Sequence, residues 1–435
     1  MPPLPSRLTE LQAMIQQGSV DPATALRYQS DQLRALDEKF HAVVKTFPPN
    51  SHLKGSLFGI GLAHKDLFNL PGREPGFGHH SGVKNLTTTT AAVISKLDGA
   101  GASQLAALVM APYACGATSQ NPNFPRCINP LNESYAVGGS SSGSAVAVAS
   151  KMSYVSLGSD TTGSVRIPSA TCGITGLKTT AGLISLQGVS PLSTSLDSIG
   201  ILGRYAKDIE VVLDIIANQH LDASIESPHF SSWLPKQRID PLVSLSIEQF
   251  LQNLASIIAI ELTEFDDLCD ATNTMMAHEI STQYAKEIAS ENPPKGLKSV
   301  GKIAQLISLA QYEQVIHSRQ QQSESFIEKY LSTSDILLIP CLGQSLPNWE
   351  AVEIGNPNFS REAYLSLFQF MGFINLLGLP SISFPIGEDS RGRPVSIQAI
   401  ARPFQEKTLL NFAHQMEQQL FDGNCYIDQF HPDRS

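Results

Sequence analysis

The sequence predicts an α/β fold built as a single large domain. Three observations support this. Short buried apolar runs alternate with helix-period stretches from end to end. No long polar linker divides the chain. Its 435 residues, 42% of them hydrophobic, suffice to bury roughly three quarters of the unfolded surface without a disulfide or metal staple.

The elements follow in order. Residues 7–45 read as two helices, the second opened by Asp21-Pro22, an N-cap with proline at the first helical position. SLFGIGLAH (56–64) reads as a buried strand that delivers Lys65. Residues 89–99 read as a helix stopped by Gly99, and QLAALVMA (104–111) as a strand. GSAVAVASKM (143–152) is a small-residue helix able to pack closely on a sheet, and Tyr154–Leu157 is the next strand. An amphipathic helix is expected over 206–218 and a connection over 222–245. Helical patterns run over 265–331 with a break at Pro293-Pro294. DILLIP (335–340), the core segment 375–385, a strand over 395–400 and a closing helix over 405–420 complete the chain.

Composition narrows the function. Thirty Lys+Arg against 40 Asp+Glu give a net charge of −10, with no basic stripe of the kind a nucleic-acid partner requires. The N-terminus lacks a signal-peptide pattern, and no apolar run reaches the ~18 residues that span a membrane. The six cysteines are scattered singly, without CxxC or zinc spacing. A cytoplasmic protein with free thiols, no metal and no cofactor is expected.

Glycine is unevenly placed. Residues 138–204 hold 11 of the 31 glycines but only six charged residues. Their core is Gly138-Gly139-Ser140-Ser141-Ser142-Gly143-Ser144. A flexible linker would not run on into AVAVAS. A phosphate loop needs lysine where Ser144 stands. A nucleophile elbow, G-x-S-x-G centred on Ser141, fits the local pattern, but NPLNESYAV makes a poor preceding strand. That reading stays open as a serine-hydrolase alternative.

A fourth reading accounts for more of the chain. GGSSSGSAVAVAS, GSDTTGSVRIPSATCGITGLKTTAGLIS, SPLSTSLDSIGILGR and, outside the segment, GIGLAHKDLF, DILLIP, NLLGLPSISFPIG and RPVSIQAIARPFQEKTLL together resemble the amidase signature family over roughly residues 5–420. The resemblance implies one domain over 1–435, with N-terminal helices (7–45), the signature core (138–204), a mostly helical substrate-side region (206–331) and C-terminal strands and helix (335–420). It implies a central mixed, twisted sheet with helices on both faces. It also implies hydrolysis of a carboxamide C–N bond by a Ser–Ser–Lys triad: Ser164 as nucleophile, Ser140 as bridging serine after a cis peptide bond from Gly139, and Lys65 as base.

Physical chemistry gives each residue a reason. A serine hydroxyl is a weak nucleophile and needs an adjacent base. Lysine serves only when neutral, which burial achieves by lowering its pKa from ~10.4. Asp66 would oppose this unless strand alternation turned it to the other face. Backbone N–H groups of Thr161, Thr162, Gly163 and Ser164 are candidates for an oxyanion hole. Tyr113, Ser141 and Phe77 are candidate substrate contacts, with Phe124 a further aromatic for the pocket. Arg166 reads as a structural hydrogen-bonding residue, with a substrate carboxylate as its alternative partner. Asp160 and Asp197 read as buried acceptors that hold turns, and His79-His80 as a loop rather than a ligand pair.

Two departures stand out. Thr162 replaces the family's usual glycine, where a side chain narrows the hole or resists a positive φ. Val109–Gly116 lacks the Asn and Glu of the family's Asn-Met-x-Glu pattern. The expected substrate is a small-molecule amide, with no nucleic acid or membrane; the resemblance also admits a homodimer, which no residue of the sequence marks. The alternatives are a non-catalytic scaffold and a glutamyl-tRNA amidotransferase A-type subunit. For the latter, an arginine reading the glutamine carboxylate does not align; Lys295, Lys298 and Lys302 stand nearby instead.

Overall fold

The computed structural model describes residues 4–52, 54–70, 73, 75–80 and 89–430. Helices α1 (Leu8–Gln16) and α2 (Pro22–Phe40) open the chain, and the Asp21 carboxylate accepts from Thr24 N at 2.8 Å as the predicted cap. Then come β1 (Val43–Thr46), β2 (Gly61–Lys65), α3 (Ala92–Gly99), β3 (Ser103–Leu108), α4 (Ser142–Ala149), β4 (Val155–Asp160), α5 (Arg166–Thr171), β5 (Thr175–Lys178), β6 (Ser198–Gly203) and α6 (Ala206–Ile216). The second half carries β7 (Phe230–Ser232), α7 (Pro241–Gln252), β8 (Ile257–Ala259), α8 (Phe265–Gln283), α9 (Ala285–Ile288), α10 (Lys295–Ala304) and α11 (Leu309–Tyr330). It ends with β9 (Ile336–Pro340), α12 (Trp349–Val352), α13 (Arg361–Ser366), α14 (Gly372–Leu376), β10 (Ser381–Glu388), β11 (Pro394–Ile400) and α15 (Glu406–Phe421).

Among the described residues the strands form one 11-stranded sheet in the order β1-β3-β2-β4-β6-β5-β10-β11-β9-β7-β8. It is mixed: β2 runs parallel to β3 and β4, while β4, β5 and β6 pair antiparallel. This is the predicted α/β class. The strands nearest the middle are buried along their whole length, as an interior sheet covered on both faces requires.

Four local expectations change. The chain leaves α2 at His41, whose left-handed φ of 53° ends the helix, and Asp37 caps the amides of Ala42 and Val43. The β-branched pair Val43-Val44 then goes to the sheet edge instead of extending a helix to 45. Gly99 lies inside the last turn of α3; the reversal is at Gly101, φ 95°, where a Cβ would lie 2.9 Å from the backbone of residues 54–55. Residues 222–245 hold β7 and the start of α7, whose Asp240-Pro241 cap repeats the signal of Asp21-Pro22. The segment 375–385 is split between the end of α14 and the start of β10.

Helix α4 is buried along all eight residues. Small side chains are what permit this: a Cβ at Gly143 would lie 2.6 Å from Ala42 O and Val109 N. One polar knot ties the signature core to the C-terminal strands. Arg166 is fully buried and all five of its N–H donors are used: Nε and one terminal nitrogen on Asp160 (3.1 and 2.8 Å), the others on Asn375 Oδ1 (2.7 Å), Gln398 Oε1 (3.1 Å) and Met371 O (3.2 Å). Arg166 is therefore structural, and its carboxylate-binding alternative is dropped. Burial pushes the Asp160 carboxyl up, but Arg166, Lys178 and the Gly163 N–H outweigh it and hold it well below the usual carboxylate range.

Removing one partner of a buried ion pair leaves an uncompensated charge, which typically costs about 3–5 kcal/mol. Arg166→Met is expected to lower stability by that order, read as a reduced denaturation midpoint in urea. A midpoint matching the parent protein's would show that the knot does not hold the fold.

Candidate active site

Strand β2 ends on Lys65, which is fully buried. Its Nζ donates to Ser140 Oγ at 2.7 Å and to Ser159 Oγ at 2.9 Å, with Ser159 O at 3.5 Å. Burial pulls Lys65 down to about 7, against the pull of the Asp197 and Asp160 charges. Asp66, next in the chain, faces away: its carboxylate pairs with Arg73 at 2.8 Å and accepts from Gly76 N at 3.0 Å. The neighbour that could have kept the lysine charged is thus engaged elsewhere, as strand alternation predicts.

Ser140 follows a cis peptide bond from Gly139. Gly139 is pressed against the next loop: its N–H donates to Ala117 O at 2.9 Å, and a Cβ there would lie 2.3 Å from Thr118 O. Ser140 O accepts from Ala111 N at 3.2 Å, so the Val109–Gly116 stretch forms a wall of the serine site. Ser164 is 8% exposed, and its hydroxyl has no hydrogen-bond partner among the described residues. Its carbonyl accepts from Ser141 N at 3.2 Å, which holds the two serine loops together. Lys65 and Ser140 are in direct contact; Ser164 joins them through this backbone tie.

The turn before Ser164 corrects one expectation. The Gly163 N–H donates to Asp160 Oδ1 at 2.8 Å, and Val165 N to Oδ2 at 3.1 Å. The Gly163 amide is therefore occupied by the turn and leaves the oxyanion set. The amides of Thr161, Thr162 and Ser164 have no acceptor among the described residues. The left-handed position falls at Gly163 (φ 113°), not at 162. Thr162 therefore meets no backbone conflict, and its hydroxyl lies 3.9 Å from Met276 Sδ on α8.

The three expected substrate contacts fare differently. Ser141 is fully buried at the start of α4, its hydroxyl donating to Ser159 O at 3.3 Å. It is neither a substrate contact nor an exposed elbow nucleophile. Phe77 is 1% exposed and stands behind Tyr113, ring centroids 5.5 Å apart, so it supports the wall without reaching the surface. Only Tyr113 is partly open. It adopts a left-handed φ of 56°, held by Tyr113 N donating to Phe77 O at 3.1 Å. Its ring packs edge-on against Tyr284, 5.0 Å away, whose hydroxyl donates to Pro191 O. The sequence reading missed Tyr284 and Met276. They come from the α8 region, more than 100 residues after Ser164, and carry no motif.

Other candidates lie apart. Phe124 lines a cavity of about 630 Å³ with His79, Arg126, Lys295, Trp349 and Tyr364, and no residue of the proposed triad borders it. Lys295 Nζ donates to Ile354 O at 2.6 Å, and Lys298 and Lys302 are exposed on α10. His79 Nδ1 lies 3.3 Å from Asn123 Nδ2, and no group of three or more metal-ligating side chains occurs among the described residues. No helix among them is long and apolar enough to cross a membrane.

Comparison with known proteins places this geometry. A model of the Amidase family matches residues 31–290 and, overlapping, 235–410. The A subunit of the Staphylococcus aureus glutamyl-tRNA(Gln) amidotransferase is 29% identical over 419 residues, covering 84% of each chain. Among solved structures, an amidase superposes with a TM-score of 0.84 at 23% identity, over 95% of this chain and all of that one. A 6-aminohexanoate cyclic dimer hydrolase gives 0.85 at 20% over 98% and 100%, and the A subunit of the Thermotoga maritima amidotransferase gives 0.78 at 24% over 93% and 94%. The family model, matching most of a chain whose fold also superposes on those of amidases, shows that the chain belongs to the Amidase family, whose enzymes hydrolyse amide C–N bonds.

Proposed function

We propose that the chain hydrolyses a neutral linear carboxamide through an acyl-enzyme on Ser164. The observation that carries this is the 2.7 Å contact from Lys65 Nζ to Ser140 Oγ in a fully buried setting that brings the lysine to about 7. Neutral Lys65 takes the Ser140 proton as Ser140 takes that of Ser164, whose oxygen attacks the carbonyl carbon. The oxyanion is met by the amides of Thr161, Thr162 and Ser164. The same relay returns a proton to the leaving nitrogen, and water then cleaves the ester to release acid and free serine.

The flanking side chains support a neutral substrate. Tyr113, Tyr284, Met276 and Thr162 carry no charge, and every donor of Arg166 is in use. The substrate would be a small molecule met in the cytoplasm. A second reading, an A-type amidotransferase subunit that liberates ammonia from glutamine, is favoured by the 29% identity to such subunits along most of the chain. Glutaminase activity together with co-purification of a partner chain would select it. Turnover of a neutral aryl or alkyl amide by the isolated chain selects the first.

Two outcomes are expected. Ser164→Ala abolishes turnover and labelling by a fluorophosphonate, with the parent's adduct mapping to Ser164 by mass spectrometry. An adduct on Ser141 would revive the elbow, and an unlabelled parent would point to a scaffold. For pH, only neutral Lys65 acts as base, so kcat/KM is expected to rise through about pH 7 and level off above it. Below that limb the rate should fall about tenfold per pH unit. A profile flat from pH 5 to 9 would remove Lys65 from the base role.

A further inference from the structure

The loop 189–197 belongs to none of the triad's elements, yet one of its side chains reaches the turn that precedes Ser164. Asp197 is buried and its carboxylate takes three hydrogen bonds. Oδ1 accepts from the Thr161 hydroxyl at 2.5 Å, and Oδ2 from Leu192 N at 2.8 Å and Ser193 N at 3.2 Å. Thr161 opens the oxyanion turn. Ser193 in turn donates to Glu279 on α8 at 2.6 Å, and Ser195 N donates to the same carboxylate at 3.1 Å. The other Glu279 oxygen accepts from Tyr312 on α11 at 3.3 Å. Pro191 O accepts from Tyr284 beside Tyr113, and Leu196 O accepts from Asn375, which also holds Asp160.

We infer that Asp197 is a positioning residue for amide hydrolysis: it locks the Thr161 end of the oxyanion turn to the 192–193 turn, and it acts on Lys65 through charge alone, without a hydrogen bond. The inference rests on the reading of Lys65 as the base.

Thr161 has two routes to disorder without this bond, because its amide is unpaired and its side chain would lose its partner. With the bond, one carboxylate fixes both the donor for the oxyanion and the loop that touches the substrate-side helix. The charge has a separate consequence. The titratable groups around Asp197 are Lys65 on β2, Asp160 on β4, Tyr284 after α8 and, across Ser193, Glu279 on α8. Burial pushes the Asp197 carboxyl up to about 6, against its three hydrogen bonds and the Lys65 charge, so it is ionised where Lys65 is neutral and active. The Asp197 charge favours the charged form of Lys65. Removing that charge makes Lys65 give up its proton more readily.

The two roles separate by mutation. Asp197→Asn deletes the charge and can keep the geometry, since the amide oxygen can face the 192–193 amides while the NH2 donates to the Thr161 hydroxyl. Its acid limb of kcat/KM is expected to move to lower pH by about one unit. Thr161→Val deletes the tether and leaves the charge. Its kcat is expected to fall about tenfold, as loss of a donor's alignment implies, with the limb unmoved and Thr161→Ser restoring the rate. An Asn variant whose limb matches the parent's overturns the electrostatic role, and a Val variant with the parent's kcat overturns the positioning role. If Asp197→Asn does not fold, the Val and Ser pair still decides the tether. A parent with no acid limb near neutral pH instead removes the base reading and this inference with it, whereas a limb present but unshifted removes this inference alone.

Discussion

The site is organised around one unfavourable act, the burial of Lys65. An ammonium in a protein interior is expensive, and the chain answers by easing its deprotonation rather than pairing it with a carboxylate. Lys65 has three oxygen acceptors, all from serines, and no carboxylate in hydrogen-bond contact. Each can accept from a neutral amine, and the two hydroxyls can also donate to it. The nearest acids are given other partners: Asp66 has Arg73, Asp160 has Arg166, and Asp197 has Thr161 and two amides. A salt bridge in place of any of these serines would stabilise the charged lysine and remove its basicity.

The rest of the core follows from keeping that lysine dry yet within reach of a second serine. Two chain segments must converge on one point, which calls for residues that allow close backbone approach. Gly139 and Gly143 supply this, one against Thr118 O and the other against Val109 and Ala42. Convergence also concentrates unpaired main-chain amides at the turn before Ser164. Asp160 takes those of Gly163, Val165 and Arg166, and those of Thr161, Thr162 and Ser164 keep no acceptor among the described residues. Arg166 then neutralises Asp160 and anchors the turn to β11 and α14 through Gln398 and Asn375. The knot at Arg166 is therefore structural support for the turn before Ser164, whose free amides lie outside its own contacts.

How much of this the sequence disclosed follows the range of the interactions. Lys65 and Ser140 could be singled out through the resemblance of their motifs to the amidase signature family, and the glycines and missing charges around Ser140 gave that assignment a physical reason. The cap at Asp21-Pro22 was legible for the same cause, and its twin at Asp240-Pro241 was passed over because the flanking sequence lacked periodicity. Ser141 and Gly163 were misjudged by adjacency. Both neighbour functional positions in the chain, but Ser141 turns into the α4 N-terminus and the Gly163 amide is taken by an aspartate three residues earlier. Whether an amide is free depends on a partner's side-chain rotamer, which composition and spacing do not encode. The strand β1 was lost because a helix stop by a left-handed histidine has no sequence mark as strong as glycine.

Specificity is the least legible layer, and the geometry gives the reason. The parts that perform chemistry come from one compact stretch plus β2, whereas the walls around them come from the 111–116 loop, from α8 and from the 189–197 loop. These segments meet through aromatic edges and single hydrogen bonds, contacts that many sequences can make. Thr162 illustrates the division. Its backbone is indifferent to the exchange from glycine because the strained φ lies one residue later, so the catalytic turn tolerates it. Its side chain, however, projects toward Met276 and takes volume from whatever occupies the space between turn and helix. Under the proposed function, Thr162 would leave the backbone of the turn intact and narrow the space for the acyl group, so that one residue belongs to both layers.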